Sequence, residues 1–209
     1  SLGIPTTRSL AVISSGDTIL RETAERGAVL ARIARSHLRV GTFEYAAMLG
    51  GTKHSQALLA YALNRHFTDI QAAPNPALAF LNSVIERQAE LITHWMRVGF
   101  IHGVMNTDNV SIAGDTIDYG PCAFMDEYDA ATVFSYIDKH GRYAFANQPN
   151  IAQWNMARLA ESLLPLLHKD HAAAVDIATE AVKQFSTIYT NKWLAMMRQK
   201  CGLLTEDKG

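Results

Sequence analysis

The run His102-Gly103-Val104-Met105-Asn106-Thr107-Asp108-Asn109, with Asp118-Tyr119-Gly120 shortly after it, holds residue types suited to a nucleoside triphosphate. Phosphate oxygens repel one another and any incoming nucleophile, so such a substrate is carried with a hard divalent cation. That cation prefers oxygen ligands from carboxylates and amides. Asn109 offers an amide oxygen and Asp118 a carboxylate. A hairpin between them would return both to one edge and to one metal ion. Asp108 adds a carboxylate next to Asn109 that could accept a proton from a hydroxyl nucleophile. Gly120 would let the chain leave the site sharply. Taken singly these are weak signals, since Asp-Asn and Asp-Tyr-Gly occur in ordinary turns and a lone histidine is usually structural. Their order and spacing make the combination specific.

The elements around this run set where it can sit. Residues 9–13 and 18–22 read as a hairpin about the turn cluster Ser14-Ser15-Gly16-Asp17, and residues 27–33 as a third strand, with a helix there as the alternative because Ala and Arg suit one. After Gly41 the periodicity becomes helical. Thr42 can cap a helix over 43–49 that Gly50-Gly51 ends, and residues 52–67 form a second. Ala73-Pro74-Asn75-Pro76 breaks the chain before a long helix over 77–98. Its buried stripe is Leu81, Val84, Ile85, Ile92, Trp95 and Met96, and Gly99 closes it. Two short strands, 110–112 and 116–117, form the expected hairpin. Residues 149–167 and 170–201 read as two more helices, and the polar tail 205–209 as frayed. The fold class is mainly α (α+β): a strand-rich segment over 1–40, then a helical body over 41–209 with the metal-site hairpin inside it.

The order of helix, polar loop, hairpin and Asp-aromatic-Gly is that of a kinase catalytic loop and its metal-binding turn. More closely, the run from Gly99 to Asn109 with Asp118-Tyr119-Gly120-Pro121 resembles the SelO (YdiU) family of protein adenylyltransferases. So do Leu2-Gly3-Ile4-Pro5-Thr6-Thr7-Arg8, the stretch from Ser36 to Glu44, and the stretch from Asn147 to Asn155. The resemblance covers nearly the whole chain. It implies a protein-kinase-like fold, this chain holding the C-lobe and the end of the N-lobe, that binds ATP in a flipped orientation. It implies transfer of AMP from ATP to Ser, Thr or Tyr hydroxyls of protein substrates, with release of pyrophosphate. Asp108 would be the proton acceptor, and Asn109 and Asp118 would hold Mg2+ or Mn2+. Arg32 and Arg39 match two arginines that contact the nucleotide. A regular strand would send these two to opposite faces, whereas one that ends near Arg35-Ser36 and turns could deliver both; the residues alone read equally as solvated or as paired with Glu22 or Glu25. Val104 stands where an ordinary kinase places its catalytic aspartate, and valine accepts no proton, which counts against phosphotransfer in the usual geometry.

The family's glycine-rich phosphate loop and lysine have no counterpart before Arg32, and the chain starts in mid-pattern, as a piece of a longer protein would. The isolated chain is therefore expected to be inactive. Two other readings stay open: a non-catalytic helical module that binds a partner, and a kinase-like phosphotransferase. Composition narrows the classes. The 209 residues are 48% hydrophobic, enough for a real core, and the net charge of −1 gives no general attraction for nucleic acid or anionic membrane. No apolar run reaches the roughly 20 residues of a membrane span. Cys122 and Cys201 form no framework and read as reduced thiols. The expected location is the cytoplasm for a bacterial protein and the mitochondrion for a eukaryotic one.

Overall fold

The computed structural model describes residues 2–203, so the expected frayed tail lies outside the described residues. Two strands open the chain, β1 (Arg8–Leu20) and β2 (Ala24–Ile33), paired antiparallel. The cluster 14–17 does not reverse the chain as expected. It is a bulge within β1: Ser14 pairs with Ala28 but Thr18 with Arg26, so three residues oppose Gly27 alone. A Cβ on Gly27 would come within 2.7 Å of Ser15 Oγ, so glycine is what lets the bulge close over the partner strand. The reversal falls instead at 21–23, where Arg21 N–H donates to Thr23 O at 3.0 Å. Three expected strands are thus two.

The helical body follows, with α1 (Val40–Met48), α2 (Thr52–His66) and α3 (Pro76–Val98). Thr42 is not the N-cap of α1. The helix begins earlier, and the Thr42 hydroxyl reaches back from its third position to accept the Arg39 N–H at 3.1 Å. The long helix α3 is bounded as its sequence dictates. Asn75 Oδ1 accepts from Leu78 N–H, Pro76 fills the first turn, and Gly99 leaves through a left-handed φ of 69°. Asn75 also donates to Leu167 O, which ties this start to the end of the next long helix.

After α3 come β3 (Phe100–Ile101) and β4 (Ala123–Phe124), a short antiparallel pair that sequence periodicity does not reveal. Then α4 (Gln148–Leu167) and α5 (His171–Lys200) complete five α-helices and two small sheets among the described residues. Helices α3, α4 and α5 pack on one another, and α1 packs against α4. None of the described helices is long and apolar enough to cross a membrane.

The expected hairpin over 110–117 is not a paired ladder. A tight turn forms, with Gly114 N–H donating to Ser111 O at 3.1 Å, but its arms part to other partners. Ser111 bridges Arg39 antiparallel, and Thr116 bridges Thr6 parallel. Four residues of turn leave too little strand to pair with itself, while each arm finds backbone donors elsewhere.

The centre of the core is aromatic. Phe80 of α3 is fully buried, with ring centroids 5.2 Å from Phe43 and 5.0 Å from Phe67. Its ring joins α1, the end of α2 and α3. Phe80→Ala is expected to cost about 3–5 kcal/mol in urea denaturation. A loss below about 1 kcal/mol would show that this cluster does not hold the three helices together.

Candidate active site

The loop after β3 is shaped by its side chains rather than by regular structure. His102 is fully buried and stacks on Trp95 of α3, ring centroids 5.3 Å apart. Its Nδ1 accepts the Val104 N–H at 3.3 Å, so Nε2 carries the proton and donates to Ile117 O at 2.7 Å. Burial pushes the His102 pKa down, and the Ile117 carbonyl and the Asp118 charge act weakly the other way. The imidazole is therefore a neutral strut between the 102–109 loop and the segment that carries Asp118.

Asp108 and Asn109 sit on a single 3-10 turn, Thr107–Asn109. Asn109 donates Nδ2 to Val104 O at 3.0 Å. A carbonyl can only accept, so this bond identifies Nδ2 as the atom on Val104 and leaves Oδ1 as an available acceptor. Asn109 and Asp118 share no direct hydrogen bond. They are linked by three: Asn109 to Val104, Val104 to His102, and His102 to Ile117 beside Asp118. Gly103 reinforces the link. Its φ of 87° suits glycine, and a Cβ there would lie 2.8 Å from Pro121 Cγ, just past Gly120. Asp118 is exposed and has φ 55°, the one positive value for a non-glycine residue among the described residues. Such a conformation persists only where its surroundings enforce it.

Asp108 is exposed, and its carboxylate lies against the first turn of α1: a Cβ on Gly41 would collide with Asp108 Oδ1. The contact exists because residues 38–40 pair with 110–112, through Val40 N to Val110 O and Ile112 N to Leu38 O. The same pairing brings Arg39 beside the Asp108-Asn109 loop. Arg39 Nε is buried with no hydrogen-bond partner among the described residues. Arg32, at the end of β2, does not stand free. It donates to Thr7 Oγ1 at 2.7 Å and lies over the Tyr119 ring, 5.2 Å from its centroid. Thr6 hydrogen-bonds the Tyr119 hydroxyl. Strand β2 ends at Ile33, so Arg32 and Arg39 do not lie on one regular strand.

The residues present fit a divalent ion in one respect. Asn109 Oδ1 and the Asp118 carboxylate are oxygen donors that accept no hydrogen bond from the described residues. Among the described residues no group of three or more His, Cys, Asp and Glu forms a metal cluster. An ion held here would complete its shell with phosphate oxygens and water, as magnesium commonly does.

Sequence reasoning assigned no role to several residues that build this site. Gln148 Nε2 donates to Phe100 O and its Oε1 accepts His102 N–H, so one side chain holds the loop on both sides of Ile101. Asn155 Nδ2 donates to Met105 O. Both amides lie on the buried stripe of α4 with Ile151 and Leu159, and a polar residue on an apolar stripe was the available signal. Arg35 forms a bidentate pair with buried Asp115 and donates to Ala113 O at 2.9 Å, which holds the 111–114 turn to the end of β2. Arg35 is largely exposed, so the pair acts mainly as geometry.

A family model described as "Protein adenylyltransferase SelO" matches residues 1–208, and the chain belongs to that family. A relative named "Protein nucleotidyltransferase YdiU" from Clostridium botulinum (strain Hall) is 58% identical over 207 residues, 99% of this chain and 42% of the relative. Relatives of the same name from Brevibacillus brevis and Shouchella clausii are 57% and 56% identical, over 99% and 100% of this chain. The chain spans about two fifths of the length of these relatives, 42% to 43%.

Two outcomes test the geometry. Gly41→Ala should leave stability within about 1 kcal/mol, since alanine favours the helix while the collision opposes it. It should nonetheless displace Asp108, seen as shifted amide resonances for 107–109; unchanged resonances there would show that Gly41 does not set the carboxylate. Stability should also fall with acid. His102, His66 and His94 all have pKa values lowered by burial. The unfolded chain therefore takes up protons first, and stability drops as pH falls below the unfolded value of about 6.5. His102→Gln should reduce that slope, by at most about 1.4 kcal/mol per pH unit. An unchanged slope would mean that His102 is not held neutral.

Proposed function

We propose that this chain is the metal- and base-bearing part of an active site that transfers AMP from ATP to Ser, Thr or Tyr hydroxyls of proteins. Asp108 accepts the hydroxyl proton as the oxygen attacks the α-phosphorus. The bond from that phosphorus to the β-phosphate oxygen breaks, and pyrophosphate leaves. Asn109 Oδ1 and the Asp118 carboxylate would hold Mg2+ or Mn2+, which when bound offsets the phosphate charge. Arg32 and Arg39 bind phosphate oxygens. In this reading residues 1–40 end a nucleotide-covering lobe and residues 41–209 form a kinase-like C-lobe.

The observation that carries the reading is the hydrogen-bonded path from Asn109 through Val104 and His102 to Ile117. It couples the loop of the base to the turn of the second ligand. Family membership supports the reaction class, and the relatives are named nucleotidyltransferases. The buried, unpartnered Arg39 Nε supports a ligand at that arginine. Val104 disfavours phosphotransfer in the ordinary kinase manner, because it leaves no base at its position.

The test uses this chain both alone and within a protein of the relatives' length, with ATP, Mg2+ or Mn2+ and a protein acceptor. The longer protein should add the mass of one AMP to the acceptor and release pyrophosphate. Asp118→Ala and Asn109→Ala should each slow this about a hundredfold or more. The 209 residues alone should transfer little, because no glycine-rich phosphate loop lies within them. A gain of phosphate with release of ADP would replace the reading by phosphotransfer. No metal-dependent nucleotide binding by the longer protein would replace it by a partner-binding module.

A further inference from the structure

Four basic side chains far apart in sequence line one open cavity of about 400 Å³: Arg35 after β2, Arg65 and His66 at the end of α2, and Arg87 in α3, with Ala113 as the fifth wall. None of the residues assigned above to nucleotide or metal lies in this wall. Its charge is not balanced. Asp115 is fully engaged by Arg35, and Asp69 acts on Arg87 only through its field. Three guanidinium charges therefore face two carboxylates. Arg65 and Arg87 have no ion-pair partner among the described residues.

The cluster shows the consequence. His66 and Arg87 are both lowered in pKa, first by burial and then by neighbouring arginines. His66 Nε2 is buried without a hydrogen-bond partner. Like charges brought together at this cost are relieved by an anion. The donors are also held in place beforehand. Arg87 lies over the Phe67 ring, 4.0 Å from its centroid, and donates Nη2 to His66 O at 3.2 Å. Arg35 is fixed by Asp115 and Ala113 O. Side chains already immobilised lose little entropy on binding.

The shape of the donor set selects the anion. A planar carboxylate is satisfied by one guanidinium fork, whereas a tetrahedral dianion accepts donors from several directions. Here donors come from three elements. We infer that this pocket binds a phosphate dianion, free or as the terminal group of a small phosphate ester, at a site separate from the proposed nucleotide site.

The experiment is an amide NMR titration of this chain with inorganic phosphate at constant ionic strength, with EDTA present to silence metal-dependent nucleotide binding. Saturable shifts centred on Arg65, His66 and Ala113 are expected. Arg65→Gln, at an exposed position where folding is not at stake, should weaken binding about tenfold. Lys183→Gln, at an exposed position of α5 outside both sites, should leave the affinity unchanged. A parallel titration with phenyl phosphate separates the sources: tighter binding identifies a monoester as the occupant, equal or weaker binding the free anion. Shifts that do not saturate, or an affinity unaltered by Arg65→Gln, would overturn the proposal, as would loss of binding in Lys183→Gln.

Discussion

His102 has no contact with solvent, and a buried imidazole must satisfy both nitrogens or lose the hydrogen bonds that water gave it. It does so with two backbone groups, Val104 N–H and Ile117 O, that belong to separate loops. The need of one side chain therefore fixes the relation of the loop carrying Asp108 and Asn109 to the turn carrying Asp118. Its own backbone is held by Gln148 and its ring by Trp95, so the strut is anchored in α4 and α3. Trp95 in turn donates Nε1 to Thr116 Oγ1, which donates to Pro5 O. The start of the chain is thus tied to the same frame.

Rigid helices carry the frame, and the chemistry-bearing groups lie on irregular chain between them. Loops with few ladder bonds hold a shape only when side chains supply the missing partners. Gln148, Asn155, Asn109 and the Arg35–Asp115 pair do this here, each by bonding a backbone carbonyl or amide of the 100–115 region. Glycines do the complementary work. Gly41 and Gly103 admit approaches that a Cβ would block, to Asp108 and to Pro121. The open hairpin β1–β2 contrasts with this. Leu10, Val12, Leu20 and Val29 are all more than 60% exposed, so its order rests on backbone pairing and on its ties at Thr6, Thr7 and Arg35.

Helix existence was legible because period and punctuation agree. Asn75-Pro76 and Gly99 bound α3, Gly50-Gly51 separates α1 from α2, and Asp170 caps α5 with its carboxylate on Ala173 N–H. The strands were less legible. A Ser-Ser-Gly-Asp cluster reads as a reversal but sits in β1 as a bulge, because its outcome depends on Gly27 across the ladder. The two-residue strands β3 and β4 carry no period at all, and the expected hairpin over 110–117 exchanged its own pairing for contacts with residues 6 and 39.

By itself the sequence determined the residue types of the candidate site, their order along the chain, the helices that frame them and the family to which they belong. Those are local or compositional properties, set by side-chain chemistry, spacing and capping. Only the tertiary structure decided which groups meet. That Asp108 rests on Gly41, that Arg32 lies on Tyr119 and that Arg35, Arg65 and Arg87 share one cavity are contacts between residues distant in sequence. Such contacts depend on how helices pack and where unpaired backbone finds a partner, and no local pattern encodes that choice.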